Sequence, residues 1–141
     1  MVSYETDIVI DAPPAAVWKH LTDFGRHDEW SHSFKLRGQP VVGSPARVEL
    51  ALFGRSLGTR VTLDRVDEEH ELRWRGGPKG LATGSHYFIL ESRDGGGATL
   101  LRHGETFAGL LAPLVWAMIG PQLRPKYASF NRELKRRVEG G

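Results

Sequence analysis

The sequence predicts an α+β domain in which a curved antiparallel sheet of about six or seven strands packs around one long C-terminal helix. Apolar and polar residues alternate in most segments of the first three quarters of the chain, as expected of strands with one buried face. Glycine-rich turns separate these segments, and the end of the chain changes to helical spacing. This order of elements predicts a sheet whose apolar face is covered by the terminal helix.

Size and composition are those of one globular domain spanning residues 1–141. The chain is 40% hydrophobic and 26% charged, and its 19 basic residues barely exceed its 17 acidic ones. That small excess does not indicate nucleic-acid binding, and the lack of cysteine excludes disulfides, thiolate metal sites and a cysteine nucleophile. The start does not resemble a signal peptide, and the apolar run 110–119 is too short to span a bilayer. We therefore expect a cytoplasmic protein.

The first quarter of the chain predicts a strand followed by a short helix. Residues 2–10 alternate and indicate the strand. The helix, which ends near Asp23, is indicated by apolar residues at helical spacing: Val17, Trp18, Leu21 and Phe24. The polar segment 26–33 predicts a loop or a single helical turn, and 33–37 one more short strand.

The middle of the chain predicts a run of strands joined by turns. Gly54–Gly58 is interpreted as one turn, Gly76–Gly80 as a break, and Asp94–Gly97 as the loop of a long hairpin. The predicted strands are 48–52, 60–66, 71–75, 85–91 and 99–107.

The end of the chain predicts the long helix. Its apolar residues recur at steps of four and three: Leu123, Tyr127, Phe130, Leu134 and Val138. Upstream, Pro113, Pro121 and Pro125 interrupt an apolar segment, and proline inside a helix removes a hydrogen bond. We therefore expect a kinked or broken helix that is regular only after Pro125. A straight helix and a curved sheet diverge, which leaves a gap suited to a ligand.

Several stretches resemble one known superfamily. They are IDAPPAAVW at 10–18, LTDF at 21–24 with Trp30, ELRWRG at 71–76 and HGETFAG at 103–109. Together they resemble the START/pollen-allergen-like superfamily, in its polyketide cyclase/dehydrase-like (SRPBCC) branch. The resemblance covers essentially the whole chain and implies a helix-grip fold over a hydrophobic cavity. Members include ligand carriers, cyclases, dehydratases and proteins that bind other proteins, so the resemblance does not specify a reaction.

The long hairpin allows side chains to be placed on one face of the sheet. If residues 94–97 form its loop, three pairs share one face: His86 with Glu105, Phe88 with His103, and Leu90 with Leu101. The other face carries Glu91 and Arg102, which favour water, so we assign the first face to the interior. This places a group of two histidines and one carboxylate on an apolar wall.

Two interpretations of this polar group stay open. As catalytic residues, His86 or His103 would act as acid and base and Glu105 would orient the imidazole, as in a cyclase or dehydratase without metal or organic cofactor. Alternatively, His86 and Glu105 satisfy each other at the cavity wall and at most orient a ligand.

A wider set of residues is predicted to contact a ligand. Asn131 either bonds a ligand or lies at the edge of the helix stripe, and Tyr127 and Phe130 are either wall or core. Trp30 either caps the cavity or plugs the core beneath the first helix. The predicted ligand-binding residues are Trp30, Leu50, Trp74, His86, Phe88, Leu101, His103, Glu105, Tyr127, Phe130 and Asn131.

Two further segments bear on partners. The cluster of His27, Asp28, Glu29 and His32 lacks the spacing of a common metal motif, so no metal is expected. The apolar segment Gly109–Pro121 is either a gate, a dimer contact, a membrane-surface patch or a helix buried at the sheet edge. The sequence thus predicts binding of a small hydrophobic ligand, lipid-like or aromatic and polyketide-like. The alternatives are a cyclase or dehydratase and a protein-interaction module, with a homodimer among the partners.

Overall fold

The computed structural model describes residues 1–140 and confirms the predicted fold class. Seven antiparallel strands form one sheet in the order β1-β7-β6-β5-β4-β3-β2. The strands are β1 (Val2–Ile10), β2 (Phe34–Gly38), β3 (Pro45–Leu52), β4 (Arg55–Asp67), β5 (Glu71–Gly76), β6 (Thr83–Arg93) and β7 (Ala98–Ala108). The helices are α1 (Pro14–Thr22), α2 (Ala112–Gly140) and a 3₁₀ helix, Phe24–Glu29, where the sequence predicts a loop or single turn. A further 3₁₀ turn, Asp94–Gly96, joins β6 to β7.

The predicted faces of the sheet and of α2 are observed. In the β6–β7 hairpin His86 pairs with Glu105 and Phe88 with His103. Phe88 and His103 are completely buried, so this face does point inward. The five apolar residues of the predicted helix stripe are all buried as well. Alternation and helical period are therefore sufficient to orient both elements that enclose the interior.

The expectation that α2 is regular only after Pro125 is wrong. The helix runs without interruption from Ala112 to Gly140, with Pro121 and Pro125 inside it. Each proline removes one backbone hydrogen bond. Burial of apolar side chains on the same helix, such as Trp116 and Leu123, offsets that loss, because most helix stability in proteins comes from packing.

The predicted turn Gly54–Gly58 is also wrong in extent. Leu52 pairs directly with Arg55, so a two-residue turn, Phe53 and Gly54, joins β3 to β4. Gly58 lies within β4, opposite Glu49, and the end of the exposed Arg47 side chain lies over it. The sequence pattern does not distinguish a glycine inside a strand from one in a turn.

His27 connects the first helical region to the sheet. Its Nε2–H donates to the Leu21 carbonyl at 2.9 Å, and the Leu36 N–H donates to Nδ1 at 3.2 Å. One nitrogen is thus a donor and the other an acceptor, which defines the neutral form of the ring. Burial lowers the pKa of His27 below the ordinary histidine value.

Within residues 1–140, no helix is both long and apolar enough to cross a membrane.

Candidate functional site

A cavity of about 370 Å³ lies between the concave face of the sheet and the first half of α2. This volume is within the usual range of small-molecule sites. Its polar side chains are few: Thr59, His86, Glu105 and Tyr127. The apolar side chains that line it include Phe34, Val48, Leu50, Leu52, Val61, Trp74, Leu81, Phe107, Leu111, Val115, Ile119 and Leu123. A hollow of about 430 Å³ beside α1 is lined instead by charged groups such as Lys19, Asp23 and Glu68.

Five of the predicted ligand-binding residues line the cavity: Leu50, Trp74, His86, Glu105 and Tyr127. The other six do not: Trp30, Phe88, Leu101, His103, Phe130 and Asn131. These six are buried at 8% exposure or less, and they lie in the solid part of the interior. The boundary between the two parts is formed by Phe34, which stacks flat on Phe130 with ring centroids 4.3 Å apart.

Trp30 plugs the core rather than capping the cavity. Its ring packs against His27 at 5.0 Å and Phe130 at 5.2 Å between centroids. Of the two readings that the sequence leaves open, the structure supports the one in which Trp30 fills space beneath the first helix.

Part of the wall could not be recognised from the sequence. Val115 and Ile119 face the cavity from the first turns of α2, and Leu111 faces it from the position just before that helix. Their spacing of four residues signals one helix face, but the nearby prolines argued against a helix there. Phe34 and Leu81 also reach the cavity, and only the assembled structure brings them together.

The polar group on the wall continues into the core as a chain of close contacts. The Tyr127 hydroxyl donates to Glu105 Oε1, and His86 Nδ1 lies 3.5 Å from the same oxygen. His86 Nε2 lies 2.7 Å from His103 Nε2, and His103 Nδ1 lies 2.8 Å from Asn131 Oδ1. The predicted grouping of His86, His103 and Glu105 is therefore present, with His86 in the centre.

Burial favours the neutral forms of two members of this chain, His103 and Tyr127. It lowers the pKa of His103 well below the ordinary value, with the neighbouring His86 adding to the effect. Burial also raises the pKa of Tyr127 well above its ordinary value, together with the adjacent Glu105 carboxylate. His103 is thus neutral and the Tyr127 hydroxyl keeps its proton to donate.

The second oxygen of Glu105 has no partner in the described part of the chain. Oε2 lies over Gly84, where an added Cβ would approach it to 2.5 Å. Glycine at this position therefore gives the carboxylate the room it occupies. The Glu105 side chain is 13% exposed and lines the cavity, which leaves Oε2 as an acceptor for a bound molecule.

The orientation of His86 is set by its neighbours. The Trp74 ring stacks on it with centroids 4.4 Å apart and planes 11° apart. Phe34 meets the imidazole edge-on at 5.7 Å. These contacts hold the imidazole with one nitrogen toward Glu105 and the other toward His103.

The cavity reaches the surface beside the apolar segment Gly109–Pro121. Leu81 and Leu111 both line the cavity and are 45% and 41% exposed. Leu114 and Met118, on the outer face of α2, are 59% and 60% exposed. From Ala112 onward the segment is helical, with one face on the cavity and another exposed. The alternative of a helix buried at the sheet edge is therefore wrong, and a gate, a dimer contact and a membrane-surface patch stay predictions.

The acidic and histidine cluster of residues 27–32 forms structural contacts. Asp28 pairs with Lys35 at 2.8 Å and with Arg37 at 2.9 Å, and His27 is buried. The Arg37 guanidinium, followed by Lys35, holds the pKa of the Asp28 carboxyl far below its ordinary value.

Solved structures with the same fold are readily found. The Zhui aromatase/cyclase from Streptomyces sp. R1128 is 14% identical with a TM-score of 0.79, covering 98% of this chain and 93% of its own. A START superfamily protein from Mycobacterium smegmatis is 17% identical with a TM-score of 0.70, covering 98% and 97%. Ara h 8.0201 is 18% identical with a TM-score of 0.72, covering 99% of both chains. At such identities the likeness extends to the fold alone.

No curated protein is detectably similar in sequence. A family model described as polyketide cyclase / dehydrase and lipid transport matches residues 1–139. This match spans nearly the whole chain and agrees with the helix-grip architecture and the cavity described above. The chain belongs to the polyketide cyclase / dehydrase and lipid transport family.

Proposed function

We propose that this protein binds a small hydrophobic molecule, lipid-like or aromatic and polyketide-like, in the cavity between the sheet and α2. The observation that carries the proposal is a largely apolar cavity of about 370 Å³ whose wall holds the joined polar side chains of Glu105, Tyr127 and His86. Apolar walls supply affinity through burial, and a few polar groups orient the ligand. Here the orienting groups are Glu105, Tyr127 and His86.

Filling the cavity tests this proposal. Val48 is half-buried and lines the cavity, whereas Val41 is 55% exposed and lies outside it. Val48→Trp should reduce the affinity for the neutral dye N-phenyl-1-naphthylamine at least tenfold, measured by its fluorescence. The matched control, Val41→Trp, should bind the dye as the wild type does. Equal binding by all three proteins, or no binding by the wild type, would contradict the proposal.

A second candidate function is acid–base catalysis of the cyclase or dehydratase type. It is favoured by the contact between Glu105 and Tyr127 at the cavity wall, with His86 beside the same carboxylate oxygen. A carboxylate with a free oxygen is a suitable base for a proton next to a carbonyl. His103 does not reach the cavity, so in this proposal it is a positioning residue and not a catalytic one.

Proton exchange provides a direct assay of this second candidate. In deuterated buffer, the wild type should accelerate deuterium incorporation next to the carbonyl of 2-tetralone, followed by NMR. Glu105→Gln should remove the acceleration while the folded spectrum is retained. Exchange no faster than in buffer alone would contradict this second candidate.

We also propose a homodimer through the outer face of α2. Leu114 and Met118 on this face, and Leu110 just before the helix, are exposed and apolar, and such faces commonly mark interaction sites. A homodimer through this face should give a doubled mass in light scattering, and Leu114→Lys should restore the monomer. A monomeric wild type at high concentration would exclude this contact.

A further inference from the structure

Glu105 is the one acidic side chain on the cavity wall among the described residues, and no lysine or arginine lines the cavity. The one other lining group that can carry a charge near neutral pH is His86, whose Nδ1 lies 3.5 Å from Glu105 Oε1. A carboxylate facing an apolar space is unfavourable unless a partner balances it. His86 faces Oε1, so no lysine or arginine is left on the wall to balance a second anion beside Oε2.

The protein's own contacts with Glu105 are directed to one oxygen. Both Tyr127 and His86 approach Oε1, whereas Oε2 lies over Gly84 without a hydrogen-bond partner in the described part of the chain. An accepting oxygen in a largely dry space is matched by a donor on the ligand. A ligand that binds beside Oε2 is therefore expected to present a hydrogen-bond donor to it.

Aromatic side chains on the wall favour the same kind of ligand. Phe34, Trp74, Phe107 and Tyr127 line the cavity together with Glu105. The faces of aromatic rings carry partial negative charge and attract cations. The carboxylate and the aromatic rings therefore both favour a cationic ligand.

Resting on the proposed function, we infer that the cavity selects an apolar molecule whose polar end donates a hydrogen bond, foremost a protonated amine, and that it rejects carboxylates. A protonated amine forms a charge-assisted hydrogen bond to Oε2 and neutralises Glu105. A carboxylate ligand would place two negative charges together at low dielectric. Simple fatty acids are consequently poor ligands of this cavity, although they are lipids.

A matched ligand series tests the inference with the intact protein. 1-Naphthylmethylamine, 1-naphthalenemethanol, 1-methylnaphthalene and 1-naphthoic acid share one apolar skeleton. At pH 7.5, calorimetry or tryptophan fluorescence should rank their affinities amine, alcohol, hydrocarbon and acid. The amine should exceed the hydrocarbon by roughly 10- to 100-fold, as expected of a hydrogen bond to a charged group.

The variant Glu105→Gln separates charge from shape. It should reduce the advantage of the amine over the hydrocarbon at least tenfold and improve binding of the acid. The control is Glu133→Gln, because Glu133 is a buried carboxylate of α2 that bonds Ser33 at 2.8 Å and lies outside the cavity. This control should keep the wild-type ranking.

The outcomes distinguish this inference from the proposed function. Equal affinities of the amine and the acid for the wild type would overturn the inference, because Glu105 would then present no net charge to the cavity. This comparison needs no variant, so it stands even if Glu105→Gln fails to fold. Failure of all four compounds, including the hydrocarbon, would overturn the proposed function as well.

Discussion

The two halves of α2 pack against the sheet in different ways. Around Phe130 and Leu134 the helix meets aromatic and aliphatic side chains, and both residues are completely buried. Around Val115 and Ile119 the same helix faces the cavity. One helix and one sheet thus build a solid core at one end and a cavity at the other. The close packing and the cavity consequently lie in different parts of the same interface.

The largest expected effect compares two leucines on one helix. Leu134 is completely buried in the solid half, and Leu123, 6% exposed, lines the cavity eleven residues earlier and three turns away. Leu134→Ala should lower the free energy of unfolding by about 3–5 kcal/mol, because it opens a new cavity. Leu123→Ala should cost about 1–2 kcal/mol, since its side chain already lacks neighbours on one side.

Urea denaturation of the two variants measures this difference directly. Both substitutions replace leucine by alanine within α2, so the two variants differ only in the surroundings of the side chain that is removed. Equal losses for the two variants would show that the cavity does not weaken packing and would break the comparison.

The second prediction concerns pH and the solid half. Burial lowers the pKa values of His27 and His103 in the folded state, so the unfolded chain binds more protons at mildly acidic pH. The contribution of these two histidines to stability should be complete above about pH 6.5, the ordinary histidine pKa. It should be lost as the pH drops toward their lower pKa values in the folded state. In this range the free energy of unfolding should change by about 1.4 kcal/mol per pH unit for each histidine that stays neutral in the folded state.

Denaturation curves between pH 7.5 and 5 measure this slope. His27→Gln removes one of the two histidines and should reduce the slope by about one proton. His32→Gln is the control, because His32 is exposed. A slope that is the same in wild type and His27→Gln would contradict the assigned neutral form of His27.

The smallest expected effect lies at the rim of the hollow half. Phe53 has φ +53°, an unusual conformation for a bulky residue, and its side chain is 60% exposed. Two-residue turns with positive φ at both positions favour Asn-Gly. Phe53→Asn should therefore raise the free energy of unfolding by about 0.5–1 kcal/mol.

The same variant tests whether the Phe53 side chain affects binding in the cavity. Its N–H donates to the Gln122 side chain of α2 at 2.6 Å, so the turn touches the helix beside the cavity. Weaker dye binding together with higher stability would show that Phe53 serves the cavity and not the packing of the protein. A loss of stability would show that the Phe53 side chain contributes to packing despite its exposure.

The faces of the elements could be predicted from the sequence, whereas the extent of the cavity could not. Alternation and the hairpin loop place His86, His103 and Glu105 on the inner face, because strand geometry allows two faces only. Whether a given inner residue touches empty space depends on how side-chain volumes fill the gap. His103 contacts three lining residues, Phe34, His86 and Tyr127, without lining the cavity itself, and no local pattern encodes contacts between residues so far apart.

Local rules also fail where tertiary packing compensates for them. Proline signals at Pro121 and Pro125 argue for a break, yet the helix continues because its other residues are buried. The apolar residues Val115 and Ile119 were consequently not recognised as wall. In this chain, apolar residues that recur at helical spacing over several turns therefore predict the packed terminal helix better than single prolines predict a break in it.

The pairing of β1 with β7 has a consequence for how the chain folds. Val2 lies opposite Phe107, so this ladder forms only when nearly the whole sheet-forming sequence is present. Closing so large a loop costs chain entropy before the contacts compensate for it, which slows folding of such topologies. Until β7 arrives, the sheet ends at β6 and exposes an unpaired edge of the kind that chaperones shield.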